Sequence, residues 1–95
     1  MSCIHYNIKV TGKVQGVWFR KYTMEKALAL GLKGFVKNEP DGSVYIEAES
    51  HQSDILDLFT NWLYEGSPLS KVEKVIIDRE MSCKNYQNFT IKDRG

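Results

Sequence analysis

The order of hydrophobic patterns predicts an α+β fold, and three observations carry it. A run that alternates apolar and polar residues over 3–10 is followed by a helical periodicity over 19–30. Two further extended runs, 32–38 and 44–49, are joined by the turn sequence Glu39-Pro40-Asp41-Gly42. A second helical run over 50–65 leads to an extended run over 72–80 and a short one over 89–92. That order is the ferredoxin-like split β-α-β sandwich, βαββαβ plus a short C-terminal edge strand. Two helices are expected on one face of a mostly antiparallel sheet, with the other face open.

Each element has its own justification. In the first strand Ile4, Tyr6, Ile8 and Val10 face one side, while His5, Asn7 and Lys9 face the other, which makes His5 a surface residue. The first helix carries Phe19, Thr23, Ala27 and Leu30 on one stripe, with Met24 and Leu28 beside it. Gly31 followed by Leu32 reads as a left-handed helix stop. In the third strand Val44, Ile46 and Ala48 point inward, and Tyr45, Glu47 and Glu49 point outward. Ser50 reads as the N-cap of the second helix, whose core face is Ile55, Leu58, Phe59, Trp62 and Leu63. Gly66, Ser67 and Pro68 end that helix. Alternation breaks near Lys74, as a β-bulge would require. In the last strand Phe89 and Ile91 are read as inward, after a loop over 81–88.

Composition narrows the function classes. The chain of 95 residues is read as one domain over 1–95. Thirteen basic and twelve acidic side chains leave a net charge of +1, which does not point to nucleic acid or an anionic membrane surface. No apolar run reaches the ~20 residues of a membrane span. His5, Asn7 and Lys9 interrupt any signal-peptide core, so a cytoplasmic protein is expected, with a monomer as its state. Cys3 and Cys83 lack metal-ligand spacing and are read as two buried thiols rather than a disulfide. The only two histidines, His5 and His51, are far apart, so no metal site is expected.

The chemistry-bearing stretch is Thr11-Gly12-Lys13-Val14-Gln15-Gly16-Val17-Trp18-Phe19-Arg20, between the first strand and the first helix. Gly12 and Gly16 allow a sharp turn that exposes backbone N–H groups, and the helix start adds its positive end. Together these suit an anion, phosphate above all. Arg20 offers a planar fork of donors matched to two phosphate oxygens. The loop is neither a P-loop nor a dinucleotide fingerprint, and it lacks the Cys of a phosphocysteine enzyme. Local chemistry alone leaves a solvated Arg20 equally open. Asn38 ends the second strand; spacing does not settle whether it reaches Arg20, and the following turn explains it as well.

The stretch from Gly12 to Arg20 resembles the acylphosphatase signature Gly-x-Val-Gln-Gly-Val-x-Phe-Arg. Gly34-Phe35-Val36-Lys37-Asn38 with Asp41-Gly42-Ser43-Val44 resembles the second motif of that family. Segments around Trp62–Pro68 and Phe89-Thr90-Ile91 are also similar, so the likeness spans nearly the whole chain. Phe35 and Lys37 depart from the common Trp and Arg of the second motif. The resemblance implies metal-independent hydrolysis of the carboxyl–phosphate bond of small acyl phosphates, with no cofactor. It implies that Arg20 and Asn38 are catalytic, Asn38 orienting water, and that Gln15, Gly16, Val17, Trp18, Phe19 and Arg20 form the phosphate cradle. Inorganic phosphate or another anion would bind the same loop.

Two other readings use the same fold without turnover. One is a module that binds a small anion. The other is an RNA-binding module, because Lys33-Gly34-Phe35 echoes an RNP1 motif and Tyr45 lies outward beside it. The echo is on the second strand rather than the third, and the other RNP aromatics are missing.

Overall fold

A computed structural model describes residues 2–92. Its elements are β1 (Ile4–Lys13), α1 (Phe19–Ala29), β2 (Lys33–Asn38), β3 (Val44–Ser50), α2 (Ser53–Leu63), β4 (Lys71–Glu80) and β5 (Phe89–Lys92). The sheet runs β4-β1-β3-β2-β5. All pairings are antiparallel except β2 with β5, which are parallel. This is the predicted element order. Ile8, Val10, Val36, Val44 and Ile46 of the sheet are fully buried against Phe19 and Ala27 of α1 and Leu56, Phe59 and Leu63 of α2. Each of these Val, Leu, Ile and Phe side chains contributes roughly 1.5–3 kcal/mol of transfer free energy.

Several boundaries and faces differ from expectation. β1 continues to Lys13 because its pairing with β4 continues past a bulge, where Thr11 meets Lys74 and Gly12 meets Val72. The irregularity expected near Lys74 is therefore present. A Cβ at Gly12 would stand 2.2 Å from the Lys71 carbonyl, so glycine here permits the strand contact rather than opening the loop. α2 starts at Ser53 behind Gln52; Ser50 instead closes β3, and its hydroxyl accepts the Gln52 N–H at 3.0 Å. Phe59 and Leu63 of the expected face are fully buried and Ile55 and Trp62 pack partly buried against the core, but Leu56 and Thr60 join the buried face and Leu58 is exposed. Positions 56 and 58 are both apolar, so periodicity could not choose between them. Leu28 of α1 is exposed too, outside the stripe of Phe19, Thr23 and Ala27.

The largest correction lies on the sheet face away from the helices. Residues 81–88 fold back over it, and a Cys3–Cys83 disulfide pins them; the cysteines are not free thiols. Beneath this flap His5 is completely buried, not a surface residue. Its Nδ1 lies 2.6 Å from Glu49 Oε2 and its Nε2 3.1 Å from Glu47 Oε1. The backbone N–H groups of Lys84 and Tyr86 donate to Glu49 at 2.5 and 3.2 Å. The Tyr45 and Tyr86 hydroxyls donate to Glu47 at 2.7 and 2.8 Å.

Burial pushes both carboxyls up. The surrounding donors outweigh it: Tyr45, Tyr86 and Lys84 hold Glu47 below its ordinary value, and the Lys84 N–H, His5 and the Tyr86 N–H do so for Glu49. The Tyr86 hydroxyl is pushed up to about 12 by burial and by its bond to Glu47. The same flap packs the edge of Tyr86 on Phe35, with ring centroids 5.7 Å apart, so the aromatic of the RNP1-like echo is buried. No helix among the described residues is long and apolar enough to cross a membrane.

Candidate active site

The topology brings the loop and Asn38 together. β1 and β2 both run antiparallel to the β3 strand between them, so they are parallel to each other. Their C-terminal ends, Lys13 and Asn38, reach the same edge of the sheet. A cavity of about 590 Å³ opens there. Val14, Gly16 and Trp18 of the loop line it, with Phe19, Arg20 and Lys21 of α1, Asn38 of β2 and Ile91 of β5.

The loop is built from buried pegs and exposed backbone. Val14, Val17 and Phe19 insert into the core, at 1, 5 and 1 % exposure. Between them Gly16 and Trp18 take positive φ values of 73° and 64°. Glycine bears this without strain, whereas Trp18 pays for it with about 1–3 kcal/mol of backbone strain. Trp18 occupies the N-cap position of α1 with no side-chain capping bond, and the first helical N–H to find a partner is that of Tyr22, on the Trp18 carbonyl. The N–H groups of the first turn are thus left for an anion. No acidic residue stands in that turn, whereas α2 begins with Asp54. Arg20 and Lys21 supply cations instead.

Two side-chain clamps hold the loop in place. The Gln15 amide donates to the carbonyls of Glu39 and Ser43, both at 2.8 Å, tying the loop to the turn that follows Asn38. That turn is itself ordered by Asp41, which accepts from the Ser43 hydroxyl and N–H and pairs with Lys9 at 2.9 Å. The Ser43 hydroxyl first, and then Lys9, hold the Asp41 carboxyl well below the usual carboxylate range. At the other end the Ser67 hydroxyl donates to the Val17 carbonyl at 2.5 Å. Both clamps engage carbonyls, so neither occupies a backbone N–H group of the loop.

Arg20 is half-buried, and among the described residues no ion pair engages its guanidinium. The Asn38 side-chain oxygen is buried with no hydrogen-bond partner among those residues. An unpartnered buried acceptor costs roughly 1–3 kcal/mol, so the Asn38 oxygen has room in its bonding for a donor such as water. Among the described residues one cluster has metal-ligand proximity, Cys3, Glu49 and Cys83, and its thiols are joined in the disulfide.

Of the expected site residues, Gly16, Trp18, Phe19, Arg20 and Asn38 line the cavity, while the Gln15 and Val17 side chains stand outside it. Sequence reasoning missed three contributors. Lys21 carried no motif signal, Ser67 sits in a distant turn, and Ile91 was read as inward but is 36 % exposed on the cavity wall. The parallel pairing of Val36 with Ile91 places it there.

A family model described as Acylphosphatase matches residues 6–91. The chain is 39 % identical over 89 residues to an acylphosphatase of Bacillus pumilus, covering 94 % of this chain and 98 % of that one. It is 44 % identical over 85 residues to an acylphosphatase of Thermotoga maritima, covering 90 % and 92 %. The crystal structure of acylphosphatase from Bacillus subtilis superposes with a TM-score of 0.90 at 36 % identity, over 94 % of this chain and 98 % of that one.

Proposed function

The chain belongs to the acylphosphatase family, a family of hydrolases, and from that premise we propose how this site works. The substrate is an acyl phosphate, and the reaction is attack of water on phosphorus. The bond between phosphorus and the bridging oxygen breaks, giving a carboxylate and inorganic phosphate. A carboxylate leaves readily, and the loose transition state of phosphoryl transfer needs little activation of the nucleophile. This suits a loop that offers no Cys or Ser nucleophile.

The work left for the protein is positioning and electrostatics. The N–H groups of the loop and first turn, with the Arg20 fork, bind the phosphoryl oxygens and strengthen as charge develops on them. Asn38 accepts a hydrogen bond from the attacking water through its buried oxygen and sets it in line with the leaving group. An amide has no useful pKa and is not the base. The water's proton passes to a phosphoryl oxygen or to the departing carboxylate, so no enzyme group need titrate near neutrality.

The observation that carries this reading is the convergence on one cavity of Arg20, Asn38 and an acid-free helix start, with the Asn38 oxygen left unpartnered among the described residues. Hydrolysis of benzoyl phosphate, followed by ultraviolet absorbance with chelator present, tests it in the wild type and in Arg20→Gln. Turnover in the wild type and a drop of roughly 10²–10³ in kcat/KM in the variant are expected. A wild-type rate equal to the spontaneous one would overturn the reading.

A further inference from the structure

A second cavity, of about 270 Å³, adjoins the first and is lined by Val17, Trp18, Lys21, Tyr22, Pro68 and Leu69. Trp18 and Lys21 line both cavities, so the two meet at these side chains. Arg20 and Asn38 belong to the first cavity alone. The walls of the second are apolar and open: Trp18 and Leu69 are 68 and 67 % exposed, and Tyr22 is 38 % exposed. The Lys21 ammonium stands 5.7 Å from the Trp18 ring centroid, over its face. Trp18 is held in this open position by a left-handed backbone conformation that a residue with a side chain seldom adopts.

The two cavities share Trp18 and Lys21, so a substrate whose phosphoryl group sits in the first can extend its acyl group past the indole into the second. We propose that the groove of Trp18, Tyr22 and Leu69 is an acyl-group subsite that favours acyl phosphates with a flat aromatic acyl chain. This rests on the acyl phosphate reading above. The acyl ring lies against the Trp18 indole, with Leu69 and Pro68 beyond it, and the leaving carboxylate faces the Lys21 ammonium where the cavities meet. A short acyl group such as acetyl does not reach the groove.

The test compares kcat/KM for benzoyl phosphate and acetyl phosphate in the wild type, Trp18→Gly and Leu69→Ser. Glycine takes the φ of 64° at position 18 without strain, so the loop path is kept while the indole is removed. The benzoyl-to-acetyl ratio is expected to fall about tenfold in Trp18→Gly. In Leu69→Ser, outside the phosphate loop, it is expected to fall about threefold. Any disturbance of the phosphate cradle affects both substrates alike and cancels in the ratio. An unchanged ratio in Leu69→Ser overturns the subsite, whatever Trp18→Gly does. A wild type that hydrolyses neither substrate overturns the acyl phosphate reading itself, and the subsite with it.

Discussion

Arg20 sits in the first turn of α1 and lines the same cavity as Gly16, Trp18 and Phe19. The geometry of its donors matters as much as its charge. A lysine at this position carries the charge on a single point and cannot bridge two phosphoryl oxygens. Arg20→Lys is therefore expected to recover less than about a tenth of the rate lost in Arg20→Gln, which benzoyl phosphate kinetics would read. Full recovery would mean that charge alone suffices. The turn at Gly16, Phe19 on the buried stripe and the arginine one residue into the helix were legible in the sequence because they depend on neighbours only a few positions away, whereas the burial of Val14 and Val17 was not read there. Lys21 and Ile91 were not, because nothing local distinguishes a cavity wall from a surface or core position.

At the scale of elements, the flap over 81–88 and the strand that follows it are tied to β1 by the Cys3–Cys83 disulfide. The cross-link closes a loop with a sequence separation of 80, so its entropic contribution is about 4.5 kcal/mol in the chain-entropy description. A Cys3→Ser/Cys83→Ser double variant is expected to lose stability by an amount of that order in urea unfolding. A loss below about 1 kcal/mol would mean that the hydrogen bonds of Glu49 and Glu47 alone hold the flap.

Acid tests the same contacts. Glu47 and Glu49 titrate lower in the folded chain than their ordinary values, so the stability they contribute is whole above the unfolded carboxyl value near 4.3 and is lost as pH falls through the folded values. Urea midpoints measured from about pH 6 down to about pH 3 should fall less steeply in Glu49→Gln than in the wild type. Equal slopes would remove Glu49 from the account. The sequence misread this region for a physical reason. Alternation assigns a residue to a face of the sheet, but not to what covers that face, and the cover of His5 comes from Lys84 and Tyr86, far along the chain. On α2 the reading failed only at Leu58, which is exposed while Leu56 is buried, because apolar residues at both positions left the edge of the buried face undecided.

For the whole molecule, the site exists because two parallel strands, β1 and β2, end at the same edge with β3 between them. Strand order was readable from the succession of patterns, and with it the class of fold. The meeting of Asn38 with Arg20 was not, because it depends on sheet order and on register, including the grip of Gln15 on the Glu39 and Ser43 carbonyls. The central claim is a division of labour across that edge, with the loop and Arg20 binding phosphate and Asn38 placing water. The most direct measurement is benzoyl phosphate hydrolysis by Asn38→Ala with inorganic phosphate as competitive inhibitor. The account predicts a fall in kcat of about 10² or more, with the phosphate inhibition constant within about threefold of the wild type. Retained kcat with a phosphate inhibition constant raised by a similar factor of about 10² would contradict it, and would make Asn38 part of the anion cradle instead.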